Sequence, residues 1–240
     1  MDDYHPPMAL PTLPLTGRRV EDVGRQRSTS VGRATKRGID LLIGLPLCVA
    51  ALPLVAVLAG LIAVHHRVPP FFVHQRLGEG GRPISIPKLR TLPPTTHPYA
   101  DKTMTALAPR SRLGNVLRRT HLDELPQLYL VPLGRLSLVG PRPRMAAEAA
   151  TCVDVAYGVE RTSVPQGCTG LWQISAGKIG RVSDHPQYDL FYIRQHTLRL
   201  DAWILWRTGL QFLGAKPIEL PDVPGWTLLD RGYDVFDAAA

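Results

Sequence analysis

The sequence predicts an α+β protein, mainly α: an apolar helix-break-helix at the membrane, then a small cytosolic domain of helices with one short β-hairpin. Three observations lead there. Between Asp40 and His65 no residue is charged, and Pro46 and Pro53 fall inside that run. "FFVHQRLGEGGRPISIPK" places β-prone segments on either side of a Gly-rich turn, the pattern of a hairpin. "DLFYIRQHTLRLDAWILWRTGLQFL", at 189–213, is strongly helical and aromatic.

Taken in order, residues 1–35 read as a disordered basic tail. They hold several prolines, serines and arginines and no sustained apolar period, so they bury too little to offset the entropy of ordering. Arginines at 18, 19, 25, 27 and 33 are suited to anionic lipid.

Residues 36–67 form the apolar segment, and its length covers the roughly 20 residues a bilayer requires. A signal peptide is disfavoured by its late start and the lack of a cleavage site. Two readings compete on the residues alone: one straight transmembrane helix, or a re-entrant helix that breaks near Pro53 and returns to the face it entered; a soluble core helix is a distant third. The central proline removes a backbone hydrogen bond and bends a helix. Lys36 and Arg37 before the run, and His65, His66 and Arg67 after it, put basic residues at both ends. That suits two cytoplasmic ends and favours the re-entrant reading.

Residues 68–213 form the globular domain. After the hairpin, "LPPTTHPYADKT" reads as a loop, and 111–119 as a helix with Leu113, Val116 and Leu117 on one face. Residues 214–240 read as a peripheral tail.

The chain has 240 residues, 45% of them hydrophobic, enough for one domain with a core, and a net charge of +8. The basic excess favours an anionic partner. Nucleic acid is disfavoured, because no helix-turn-helix, zinc or RNP-type motif is present. The cysteines at 48, 152 and 168 have neither metal-site nor disulfide spacing and read as small buried hydrophobes.

The charges concentrate in "LRRTHLDELPQLYLVPLGRLSLVGPRPR", Leu117 to Arg144. Asp123 and Glu124 are adjacent there, with arginines at 118, 119, 135, 142 and 144 around them. Pro126 belongs in the first turn of a helix, so a helix is expected to start near Leu122 with Leu125 and Leu128 facing the core. The pair then sits at a helix N-terminus, whose N–H groups are expected to keep Asp123 ionised. A carboxylate that attacks phosphorus needs its repulsion from phosphate cancelled, by arginines and a bridging divalent cation. The bland alternative is acidic capping with surface ion pairs. His121 reads as an N-cap or surface residue, and Trp203 and Trp206 as core or interfacial aromatics.

In combination, "KRGIDLLIG", "HQRLGEGGRP", "PKLRT", "LRRTHLDELPQL", "LSLVGPRP", "CTGLWQIS" and "DLFYIRQHTLRLDAWIL" closely resemble the bacterial sugar transferase family, the monotopic polyprenyl-phosphate glycosyl-1-phosphate transferases, in its short form. The resemblance covers roughly residues 35 to 213 and implies transfer of a sugar-1-phosphate from a UDP-sugar to polyprenyl phosphate at the cytoplasmic face of the inner membrane, with release of UMP. It implies Asp123 as the nucleophile, Glu124 as its metal-associated partner, and Mg²⁺ held by Asp123 and Glu124. It further implies Arg118, Arg142, Lys88 and Arg90 at the phosphates and nucleotide, and Pro53 at a re-entrant break in membrane lipid. Leu52 stands where many members have Ser before that proline. "CTGLWQISAGK" has Ser175 and Lys178 where Asn or Ser and then Gly-Arg are usual. The rival reading is a non-catalytic membrane-bound assembly partner with the same fold. The transferred sugar and the presence of a homo-oligomer are left open by the sequence.

Overall fold

The computed structural model describes residues 30–92, 111–150, 155–179 and 182–229. The basic tail before Ser30, Cys152, the loop from Pro93 and the last residues from Asp230 lie outside the described residues.

Helix α1, Ser30–His66, is one element and not two, and it begins six residues inside the expected tail. The break expected at Pro53 does not interrupt it. A proline forgoes only its own N–H bond, here those to the carbonyls of Leu42 and Val49, and the remaining ladder carries the helix through. Pro46 and Pro53 both lie on the exposed side, where an opened ladder lets a helix curve onto what it packs against.

The inner side is a stripe at helical spacing: Asp40, Gly44, Cys48, Ala51, Val55, Leu58, Ala59 and Ile62 are buried. It touches the globular domain along its whole length. Lys36 pairs with Asp201 at 2.7 Å, and Arg37 donates to the carbonyls of Val131 and Pro132. The Asp40 carboxylate accepts from the Leu138 N–H, and Cys48 Sγ donates to the Leu128 carbonyl. Ile62 packs with Leu89 and Leu117. The outer side leaves Leu42, Leu45, Val49, Leu52, Val57, Leu61 and Val64 exposed.

Strands β1 (Phe71–Leu77) and β2 (Pro83–Leu89) form the expected hairpin, antiparallel from Phe71↔Leu89 to Leu77↔Pro83. Gly80 and Gly81 adopt positive φ in its turn, which side chains resist. Helix α2 (Arg112–Arg119) is capped by Ser111, whose side chain accepts from the Gly114 N–H. It buries Gly114 and Leu117 but leaves Val116 exposed, so the inward face is narrower than the sequence implied. A 3₁₀ segment, Leu122–Leu130, follows.

Strand β3 (Ser137–Val139) leads to the "GPRPR" segment and pairs in parallel with β4 (Gly167–Thr169), a second small sheet that the sequence did not announce. Here glycine permits close backbone approach: a Cβ on Gly140 would lie 2.4 Å from the Pro165 carbonyl oxygen, and one on Gly167 2.1 Å from the Gly140 nitrogen. Helices α3 (Ala146–Ala150) and α4 (Val155–Thr162) lie between these strands in the chain, and α5 (Leu171–Ile174) follows β4.

The aromatic helical stretch divides into α6 (Pro186–Gln195) and α7 (Leu198–Phe212). Thr197 causes the division: it is extended and caps α7, accepting from the Leu200 N–H. Trp203 enters the core and Trp206 is exposed. The segment after α7, expected as a peripheral tail, instead carries Ile218, Leu220, Val223 and Leu228 into the main core. Its backbone bridges Ser175 to Ile218.

Candidate active site

The 3₁₀ segment begins at Leu122, as expected, but it is not an α-helix. Pro126 cannot donate the bond an α-helix would need there, and its ring opposes that geometry. Tight turns replace it: the Glu124 N–H donates to the His121 carbonyl at 3.1 Å, and the Val131 N–H to that of Leu128 at 3.0 Å. The buried residues are Asp123, Pro126 and Gln127, with Leu128 only partly buried against the core. His121 occupies the N-cap position at φ 55, with no side-chain cap, and lies edge-on to Phe212 at 6.4 Å between ring centroids. Its left-handed conformation turns the chain sharply between α2 and the carboxylate pair.

The two carboxylates have opposite environments. Glu124 is fully engaged: Lys88 Nζ approaches Oε1 at 2.5 Å and Arg142 Nη2 approaches it at 2.8 Å. Arg142 Nη1 donates to Oε2 at 3.3 Å, and Gln127 Nε2 donates to the same oxygen at 3.4 Å. Burial alone would raise its pKa, but the charges of Arg142 and Lys88 outweigh burial and hold it well below the usual range.

Asp123, only 8% exposed, accepts no hydrogen bond among the described residues. Burial and then the Glu124 charge push its pKa up, against Lys88, Arg118 and His121. The expectation that helix N–H groups would hold it ionised is therefore corrected: desolvation dominates, and the opposing pull comes from side-chain cations.

Of the other sequence-predicted residues, Lys88 and Arg142 meet at Glu124. Arg118, in the last turn of α2, acts electrostatically on Asp123. Arg90 goes elsewhere: it donates to the carbonyls of Pro69 and Phe71 and lies over the Phe72 ring. Pro53 lies on the outer side of α1, and among the described residues no bond links it to the carboxylates.

Two further residues belong to the site. Alternation along β1 turns Phe71, Val73 and Gln75 outward and Phe72, His74 and Arg76 inward. The cross-strand partners of the inward three are Lys88, Ile86 and Ile84. Burial and the charges of Arg76, Lys88 and Arg118 lower the His74 pKa to about 4, so its ring is neutral near pH 7. The period-2 alternation of "FFVHQR" opposite Lys88 is the sequence signal that could have found both.

A buried network braces Arg142 from behind. Arg161 donates to the Arg142 carbonyl through Nη2 and to Asp189 through Nε at 2.7 Å. Tyr157 donates to the same Asp189 oxygen at 3.2 Å. Arg142 also lies over the Trp172 ring, 6.0 Å from its centroid. Arg144 is 2% exposed and lies over Tyr157, which makes it an internal residue.

Among the described residues, no group of three or more His, Cys, Asp or Glu forms a metal cage. Mg²⁺ does not require one, since it commonly uses one or two carboxylates with water and substrate phosphate. Asp123 fits that role, whereas Glu124 would have to exchange a bond to Lys88, Arg142 or Gln127.

The profile of a family described as "Bacterial sugar transferase" matches residues 31–215. A UDP-glucose:undecaprenyl-phosphate glucose-1-phosphate transferase of Xanthomonas campestris pv. campestris is 32% identical over 217 residues, covering 85% of this chain and 43% of that protein. The exopolysaccharide production protein ExoY of Sinorhizobium fredii is 31% identical over 194 residues, covering 74% of this chain and 85% of that protein. An Escherichia coli protein with the same name as the Xanthomonas one is 30% identical, covering 75% of this chain and 40% of that protein. The chain thus spans less than half the length of the Xanthomonas and E. coli relatives. With the family profile matched from α1 to just beyond α7, the chain belongs to the bacterial sugar transferase family.

Proposed function

We propose that this chain transfers a sugar-1-phosphate from a UDP-sugar to undecaprenyl phosphate, through a covalent phosphosugar on Asp123. The observation that carries this reading is the division of labour in the carboxylate pair. Glu124 is neutralised by Lys88 and Arg142, while Asp123 beside it accepts no hydrogen bond among the described residues and lies within reach of the same positive field.

An Asp123 oxygen attacks the sugar-bearing phosphorus, and the bond from that phosphorus to the bridging oxygen breaks. UMP departs with the bond's electron pair. A phosphate oxygen of the lipid then attacks the same phosphorus, restoring the Asp123 carboxylate and leaving a polyprenyl diphospho-sugar. The double displacement divides one encounter between anions into two smaller barriers. Mg²⁺, when bound, would neutralise phosphate charge and orient the diphosphate. Lys88 and Arg142 hold Glu124 and present the remaining positive field to the phosphates. Arg161 fixes the backbone from which Arg142 projects. Full-length protein in nanodiscs, given a panel of UDP-sugars with undecaprenyl phosphate and Mg²⁺, should release UMP in lipid-dependent turnover. An absence of UMP and lipid-linked product across the panel would favour the assembly-partner reading.

The same proposal places α1 in the cytoplasmic leaflet of the inner membrane, entering and leaving by one face. Asp40 and Ile62 are 22 residues apart, about 33 Å along a helix, yet both pack on the same globular domain. A straight span would put them at opposite faces. The exposed apolar outer side has the character of a lipid-facing surface. Single cysteines at positions 30 and 100, in a background lacking the native three, should resist an impermeant thiol reagent until cells are permeabilised. Labelling at position 30 alone in intact cells would establish a true span.

A further inference from the structure

The hairpin has a chemical polarity along its length. At its Phe71 end, the outward-facing Phe71 and Pro87 line an apolar cavity with Val55, Ala59, Pro126 and Tyr129, against α1, while the inward face carries the charges. Lys88 and Glu124 come next, Lys88 being the cross-strand partner of Phe72. At the other end, four residues or about 13 Å along β1, lies Arg76.

Arg76 is partly buried, and its side chain donates no hydrogen bond among the described residues. Its place is fixed from both sides. Across the hairpin its partner is Ile84, which is buried in the core. On the other side, the N–H of the next residue, Leu77, donates to the Arg144 carbonyl at 2.8 Å, tying β1 to the segment that carries Arg142. Two guanidiniums are thereby brought together where Glu124 is already taken by Arg142 and Lys88, and the charge of Glu148 acts on both without a hydrogen bond to Arg76 among the described residues. Burial and the Arg142 charge lower the Arg76 pKa to about 10, so it remains charged near pH 7. A desolvated cation next to another cation is costly unless an anion joins them.

We propose that Arg76 and Arg142 form a two-guanidinium clamp for the nucleotide-side phosphate of the donor, the phosphate that leaves as UMP. The water-soluble nucleotide takes the cationic inward face near Arg76, and the lipid takes the apolar cavity at the Phe71 end, beside α1. This rests on the transferase reading for its substrate, and it adds a donor-binding residue together with the direction in which the donor lies. The planar fork of arginine suits the contact, because two N–H groups can meet two phosphate oxygens.

The test uses full-length protein in nanodiscs with Arg76→Gln and Arg76→Lys, thermal melting being the check on folding. Two readouts are needed: calorimetric Kd for UDP, and KM for the donor and for undecaprenyl phosphate separately. Loss of a bidentate charged contact should weaken UDP binding and raise the donor KM by about 10- to 100-fold in the Gln variant. Lys should restore only part of this. The KM for undecaprenyl phosphate should stay within about twofold, since Arg76 is not among the residues that line the apolar cavity. Unchanged UDP affinity, or a change confined to the lipid KM, overturns the clamp. If no UDP-sugar supports turnover but Arg76→Gln still weakens UDP binding, the catalytic reading falls and the nucleotide subsite stands. If UDP does not bind the unsubstituted protein, the subsite falls.

Discussion

Asp123→Asn should abolish transfer while leaving the protein at least as stable as the parent at pH 7. The amide keeps the size of the carboxylate but cannot supply the attacking anion, so turnover should fall by at least about a thousandfold. Labelled sugar-phosphate should no longer be trapped on the protein. The stability half follows from the raised pKa of Asp123, caused first by burial and then by Glu124. A folded state that raises a carboxyl pKa binds its proton more tightly than the unfolded chain does. Ionised Asp123 therefore opposes folding at pH values above its folded pKa, and the opposition disappears below its ordinary value of 3.8. Melting temperatures of parent and variant, compared at pH 7 and in acid, should show the variant's advantage only at the higher pH. For activity, protonation removes the nucleophile, so the acid limb of turnover should lie above that ordinary value. Normal turnover in Asp123→Asn would end the covalent mechanism.

Glu124→Gln should behave in the opposite way. Its folded pKa is depressed, with Arg142 and Lys88 overcoming the effect of burial. Its contribution to stability is fully present above its ordinary value of 4.5 and is lost as pH falls through the lower folded value. The amide leaves Lys88 and Arg142 without their shared anion, and the Glu124 side chain is only 17% exposed, so solvent replaces it poorly. A cost of about 3 kcal/mol is expected, the lower end for removing one partner of a buried pair. Arg142, released from Glu124, should also hold phosphate in altered geometry, and turnover should fall with a change in donor KM. A melting temperature equal to the parent's across pH 4–8 would show that the pair is solvated and that Glu124 does not organise the site.

Much of this was legible in the chain. The hairpin, the start of the 3₁₀ segment at Leu122, and the meeting of Glu124, Lys88 and Arg142 beside Asp123 follow from local chemistry or from linked motifs. The misreadings were at a distance. Arg90 shares "KLR" with Lys88, but past the strand end its guanidinium goes to the Pro69 and Phe71 carbonyls. Residues after Gly214 are rich in turn formers and looked peripheral, yet Ile218 and Leu220 complete the main core. The N–H groups of a helix start were expected to govern Asp123, and Pro126 denied it that helix.

The sequence by itself determined the residue types and local constraints: an uncharged run with two prolines, a Gly-turn hairpin, a proline-limited turn bearing two carboxylates, and arginines held on a proline-stiffened segment. These depend on backbone dihedrals and spacing, which neighbours in the chain set. The tertiary structure alone decided which carboxylate is neutralised and which stays open, that α1 lies along the domain from Asp40 to Ile62, and that Arg76 reaches the site without a side-chain hydrogen bond among the described residues. Those outcomes depend on desolvation and on charges brought together from β2, the 3₁₀ segment and the segment after β3. Coulomb energy and burial are set by distance through space, and no local pattern in the chain encodes that distance.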